Sequence, residues 1–142
     1  MIALDTNILV YALREDSMFH ELAYACLGGL AQGKAPWAIP WPCVHEFLAI
    51  VTHPKIFKPP TPLGIALDAI EAWLESPTLV LLAEPAEYWS SARTLLESGR
   101  ITGPQVHDAR IAALCMSHGV TELWTADRDF DELTADGLRL FA

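Results

Sequence analysis

Four carboxylates in this chain stand where an ordinary solvated surface would not put them. Asp5 follows the short apolar run 2–4 and precedes Thr6-Asn7, which places it at a strand-to-helix turn. Glu46 lies in an apolar segment with Cys43, Phe47 and Ile50 on its side of a helix, and His45 is its only polar companion from Cys43 to Val51. A carboxylate there is expected to be largely desolvated, which is costly unless a cation or hydrogen-bond donors compensate it. Asp108 heads a helical row with Ile111, Ala112 and Cys115, at i, i+3, i+4 and i+7. Asp127 lies in the turn Thr125-Ala126-Asp127-Arg128-Asp129-Phe130, after the apolar run 122–125. Local readings exist for three of them: Asp5 as a helix cap, Asp108 as a charge near a helix N-terminus, and Asp127 as a turn or cap residue. Together the four describe one acidic pocket. Close carboxylates raise one another's pKa values unless a multivalent cation sits among them. Hard oxygen donors without ligating Cys or His suit Mg²⁺ or Mn²⁺. Such a cation activates water and engages phosphate, so the expected chemistry is phosphodiester hydrolysis with no Ser, Cys or His nucleophile.

The elements that must position these acids are read from periodicity and punctuation. Residues 2–4 form a strand, a helix follows Thr6-Asn7, and Phe19, Leu22, Ala23, Cys26, Leu27 and Leu30 mark one face of a second helix with Ser17 as its N-cap and Gly33 as its stop. A strand is expected at 36–40, a helix at 42–52, a loop at 53–62, a helix at 63–75 and a strand at 78–82. Helices at 86–97 and 104–119, a strand at 122–125 and a last strand at 138–141 complete the chain. Strands alternating with helices imply an α/β sandwich with a mostly parallel sheet, and ligands in such sheets bind outside the carboxyl ends of the strands. Two acids lie just past strand ends and two on inward helix faces, so the architecture brings all four to one edge.

The chain has 142 residues, 52% apolar and 19% charged, with a net charge of −9. One domain covering residues 1–142 is expected, and disorder is excluded by the high apolar share. The acidic balance argues against a nonspecific nucleic-acid coat protein or a polybasic membrane binder, but not against an enzyme that handles nucleic acid locally. No basic leader precedes an apolar run at the N-terminus, and no stretch approaches the roughly 18 apolar residues of a membrane span. A cytoplasmic protein is expected, with Cys26, Cys43 and Cys115 as reduced, packed thiols. Cys115 and His118 supply too few ligands for zinc. Gly-rich phosphate loops are absent, as are the second early acid of haloacid-dehalogenase-type phosphatases and the late lysine of receiver domains.

The segments Leu4-Asp5-Thr6-Asn7, His45-Glu46-Phe47, His107-Asp108-Ala109-Arg110-Ile111-Ala112-Ala113-Leu114 and Leu123-Trp124-Thr125-Ala126-Asp127-Arg128-Asp129-Phe130 resemble the ordered motifs of PIN-domain nucleases, more narrowly the VapC ribonuclease toxins. The resemblance implies a three-layer α/β/α PIN-like domain and an Mg²⁺- or Mn²⁺-dependent endoribonuclease acting on RNA. A homodimer and a VapB-type antitoxin are the implied partners. Asp5, Glu46 and Asp108 match the central metal-site acids and Asp127 the more variable fourth. Thr125 matches a supporting hydroxyl residue and Asn7 the polar residue after the first acid. Asp129 falls where relatives often carry a further acid, and it also reads as a turn cap. The chain ends without the Asn-Pro that many relatives carry. Alternatives are a PIN ribonuclease of RNA processing and an inert RNA- or protein-binding PIN subunit.

Adjacent helical residues diverge by about 100°, so His45 and His107 should point away from the pocket. Trp73, Trp89 and Trp124 read as core, whereas Trp37 and Trp41 are less settled between core and a binding surface. Arg14, Arg110 and Arg128 are the cations on which substrate binding is expected to lean.

Overall fold

The computed structural model of the chain describes residues 1–126. Four strands, β1 (Ile2–Leu4), β2 (Trp37–Pro40), β3 (Leu79–Leu82) and β4 (Glu122–Trp124), form a parallel sheet in the order β3-β2-β1-β4. Ala3 pairs with Ala38 on one side and Leu123 on the other, which fixes the register of the central strand. Such a sheet is covered on both faces, so its inner strands must be apolar throughout. All four residues of β2, Trp-Ala-Ile-Pro, are accordingly buried.

Six helices connect the described strands: α1 (Thr6–Leu13), α2 (His20–Gln32), α3 (Trp41–Val51), α4 (Leu63–Leu74), α5 (Tyr88–Gly99) and α6 (Gln105–Ser117). The chain steps from β1 to β2 through α1 and α2, then to β3 through α3 and α4. It returns over the sheet through α5 and α6 to place β4 beyond β1. Right-handed crossovers put the first four helices on one face and the last two on the other. Helix contacts follow this division: α1 packs on α2 and α3, α3 on α4, and α5 on α6. The result is the three-layer α/β/α architecture. Phe47 and Trp73 meet edge to face at 4.8 Å in the core between α3 and α4.

Prolines punctuate the helix starts. Pro42 lies in the first turn of α3, and Pro62 and Pro104 are the N-cap residues of α4 and α6, positions where a missing N–H costs no helical bond. α6 ends at Gly119, whose φ of 70° suits a residue without Cβ, and the Val120 N–H closes the turn on the Cys115 carbonyl at 3.0 Å.

Several expectations are corrected. Ser17 does not cap α2: the N-cap is Phe19, with no side-chain bond, and the Ser17 hydroxyl donates to the carbonyls of Arg14 and Tyr11. The turn at 14–19 consumes that hydroxyl before the helix begins. Trp89 is not core but 62% exposed, because α5 buries only Ala92. Trp37 is fully buried, while Trp41 remains 37% exposed at the start of α3. Among the described residues no helix is long and apolar enough to cross a membrane. Asp127, Arg128, Asp129 and the expected strand at 138–141 lie outside the described residues.

Candidate active site

β1 is the strand at which the order reverses, with β2 and β3 to one side and β4 to the other. At such a switch point the connections leave in opposite directions and open a crevice at the carboxyl ends. Asp5 follows β1 directly and Thr125 follows β4, so both enter that crevice by topology alone.

Asp5 is 4% exposed and has both oxygens committed. Oδ1 accepts from the Thr6 N–H at 2.8 Å, which caps α1, and from the Cys43 thiol at 3.6 Å. Oδ2 accepts from the Thr125 hydroxyl at 2.6 Å. The capping and pocket readings of Asp5 therefore coexist in one side chain. Asn7 lies one turn into the same corner: its Nδ2 donates to Thr125 Oγ1 at 3.2 Å, and its Oδ1 accepts from the Ala126 N–H at 3.2 Å. Asn7 thus ties the chain leaving β4 to α1, beside the acid.

Glu46 departs from its expected environment. Its neighbours Cys43 and Phe47 are fully buried, but Glu46 itself is exposed. Each residue turns a helix by about 100°, and Glu46 falls at the edge of the apolar stripe, where α3 borders the crevice. The Thr6 hydroxyl donates to its Oε2 at 3.1 Å. Asp108 is half-buried above the buried row of Ile111, Ala112 and Cys115. Asp5, Glu46 and Asp108 line one cavity of about 260 Å³, together with Thr6, Asn7 and the apolar residues Val10, Tyr11, Ile50 and Phe57. His45 and His107 are exposed and do not line it. Sequence reasoning missed Thr6, Tyr11 and Phe57. Thr6 was readable as the residue beside the capping acid, whereas Phe57 sits in a proline-rich loop with no periodicity to expose it.

The corner is electrostatically tense. Burial pushes the Asp5 pKa up, the Thr125 and Thr6 bonds pull it back, and the charge of Glu46 pushes it up again. Beneath it the thiol pKa of Cys115 is pushed up to about 12 by burial and by Asp5, and that of Cys43 is raised for the same two reasons. These thiols stay neutral and fully buried. Among the described residues no three acidic, His or Cys side chains gather into a ready-made metal cage. The donor set is nevertheless one of hard carboxylate and hydroxyl oxygens with one buried acid held above its ordinary pKa. Mg²⁺ fits such a set, because it retains several waters and needs only one or two carboxylates beside a substrate phosphate.

Two of the three cations expected to meet substrate are otherwise engaged, and Arg128 lies outside the described residues. Arg14 forks onto Asp16 and is only 12% exposed, and Arg110 pairs with Glu84 at 2.5 Å. His118 contacts the Ala83 carbonyl at 2.7 Å rather than sharing a site with Cys115.

Comparison with known proteins agrees with this architecture. The PIN domain family model matches residues 2–135. The chain is 32% identical over 130 residues to a VapC ribonuclease of Mycobacterium bovis, spanning 92% of this chain and 88% of the relative. It is 29% identical over 136 residues to ribonuclease VapC48 of Mycobacterium tuberculosis, spanning 96% and 92%. Its fold is shared with the VapBC2 complex of Rickettsia felis bound to a promoter DNA fragment (TM-score 0.67, 23% identity, 100% of both chains). It is also shared with Mycobacterium tuberculosis VapC20, described as a toxin that cleaves the sarcin–ricin loop (TM-score 0.68, 15% identity, 92% and 93%). With a family match over residues 2–135, a relative 32% identical over 92% of the chain, and a parallel sheet reversing at β1 with acids lining the crevice there, the chain belongs to the PIN-domain family, among its VapC-type members.

Proposed function

We propose that this protein is a metal-dependent endoribonuclease, the toxin of a VapBC-type toxin–antitoxin pair. The observation that carries the reading is the cavity at the switch point, which Asp5, Glu46 and Asp108 all line although they lie far apart in sequence. The names of the two curated relatives described above, both VapC ribonucleases, support the substrate class.

Mg²⁺ or Mn²⁺ would be held by Asp5, Glu46 and Asp108, with Asp127 as a fourth acid. Bound there, the cation supplies an activated water and offsets the charge that develops on the phosphate. The chain's own part is positioning. Thr125 and the Thr6 N–H fix the Asp5 carboxylate, and the Thr6 hydroxyl orients Glu46. Asn7 holds Thr125 and Ala126 beside Asp5.

A VapB-type antitoxin is the proposed regulatory partner, and the net charge of −9 makes a basic segment of that partner a natural ligand. Its binding should weaken as salt rises. A homodimer is the proposed assembly. Cleavage of RNA by antitoxin-free protein, with Mg²⁺ and with EDTA, tests the reading. Wild type should cleave only with the cation, and Asp5→Ala should not cleave. Equal rates for the two proteins overturn the proposal. Growth arrest on expression separates a toxin from an RNA-processing enzyme.

A further inference from the structure

The cavity at the switch point is only half acidic. Val10, Tyr11, Ile50 and Phe57 form the rest of its lining, and a metal–phosphate site alone has no use for two aromatic rings. Both rings are held. Tyr11 packs against Phe19 with centroids 5.5 Å apart. Phe57 belongs to the loop between α3 and α4, and the Arg14 guanidinium lies 4.3 Å from its ring centroid. Arg14 Nη1 also donates to the Pro59 carbonyl at 3.0 Å and to the Thr61 hydroxyl at 3.3 Å, while Nε and Nη2 donate to the Asp16 carboxylate. With its charge matched by Asp16, Arg14 pins the loop to the end of α1 and sets the ring of Phe57 at the pocket. On either side of Phe57, Lys55 and Lys58 are exposed and form no salt bridge among the described residues. In a chain of net charge −9, two exposed lysines in the loop beside an acidic pocket are a local reversal of sign.

We propose that Phe57 and Tyr11 form a binding place for a nucleobase of single-stranded RNA, next to the phosphate engaged by the acids. Lys55 and Lys58 attract the flanking phosphates, and Arg14 is a positioning residue that holds Phe57. Aromatic rings take any base by stacking, whereas a duplex keeps its bases stacked on one another. The site therefore selects unpaired loops. This inference rests on the ribonuclease reading above and adds to it how the substrate is gripped.

The test uses the full chain with Ca²⁺ in place of Mg²⁺, and a fluorescein-labelled single-stranded RNA decamer alongside the same ribose–phosphate chain without bases. Wild type should bind the intact decamer more tightly than the abasic one. Phe57→Leu should weaken the intact decamer roughly 5- to 150-fold and leave the abasic chain unaffected. Phe57→Tyr should retain wild-type binding, and Arg14→Ala should show the same base-selective loss, seen in KM rather than kcat when cleavage is followed. Lys55→Ala and Lys58→Ala should weaken both chains alike, each lowering the slope of log affinity against log salt by about 0.7. Equal binding of intact and abasic RNA by wild type overturns the base site, whether or not a variant folds. So does undiminished RNA affinity in a folded Phe57→Leu protein. Either result leaves the ribonuclease reading standing if RNA is still cleaved in Mg²⁺. Absence of both RNA binding and RNA cleavage by wild type overturns the two together.

Discussion

Replacing Thr125 by valine removes the shortest polar contact to Asp5. Valine nearly matches threonine in shape, so no cavity opens at a residue that is 1% exposed. What disappears is a 2.6 Å hydrogen bond to the Asp5 carboxylate, together with the neutral 3.2 Å bond that the hydroxyl accepts from Asn7 Nδ2, whose loss is the same at every pH. A bond to a charged, buried acceptor contributes about 1.5–3 kcal/mol, and a neutral one about 0.5–1.5 kcal/mol. The sign of the pH dependence follows from Asp5. Its folded pKa lies above the ordinary 3.8 because of burial, so its contribution to stability is fully present below 3.8 and lost as pH rises through the folded value. Without Thr125 that folded value rises further, and the penalty of ionising Asp5 grows. The variant should therefore lose about 1.5–3 kcal/mol near pH 7, about 3–12 °C in Tm for a chain of this size, and clearly less near pH 4. Urea melts in EDTA at both pH values measure this. The same loss at both, or a loss below about 0.5 kcal/mol near pH 7, would show that Thr125 does not carry the Asp5 charge.

Asp5→Asn should raise the stability of the metal-free protein near neutral pH, since it removes a buried charge, while cleavage falls by at least about 10²-fold. Paired melting and RNA-cleavage assays reveal the trade. Added Mg²⁺ should stabilise the wild type by about 2.7 kcal/mol at a hundredfold excess over its Kd, and the gain should fade on acidification as Asp5 takes up a proton. Thermal shift across a pH series measures it. Trp37→Ala should cost about 3–5 kcal/mol, the range for truncating a fully buried aromatic. By contrast, Arg110→Gln should change stability by less than about 1 kcal/mol, because its partner Glu84 is also exposed to solvent. Urea midpoints distinguish these two.

The order of strands and helices was readable because the chain alternates apolar runs of strand length with helical stripes, and its prolines mark the helix starts. Asp5 and Asp108 were readable as acids out of pattern, one at a strand end and one above a buried row. Glu46 was singled out for a reason the structure corrects. Its neighbours are buried, yet one residue of helical rotation carries it to the rim, a distinction that needs the position of the adjacent element. Thr6 and Phe57 escaped because their roles depend on contacts across long separations: the Thr6 hydroxyl bonds Glu46 forty positions away, and Arg14 holds Phe57 across a loop. No local period encodes either contact. Trp89 misled because a tryptophan on an amphipathic helix suggests core, and α5 buries little.

The pairing of β1 with β4 also has a temporal meaning. Asp5 and Thr125 are separated by 120 positions, so the two walls of the crevice leave the ribosome at opposite ends of synthesis. Until β4 emerges, β1 has a neighbour on one side only, and Asp5 lacks the hydroxyl that steadies its charge. A nascent or prematurely terminated chain thus holds an early acid without its late partner. The crevice is thus completed last, after most of the core around β2 has been made.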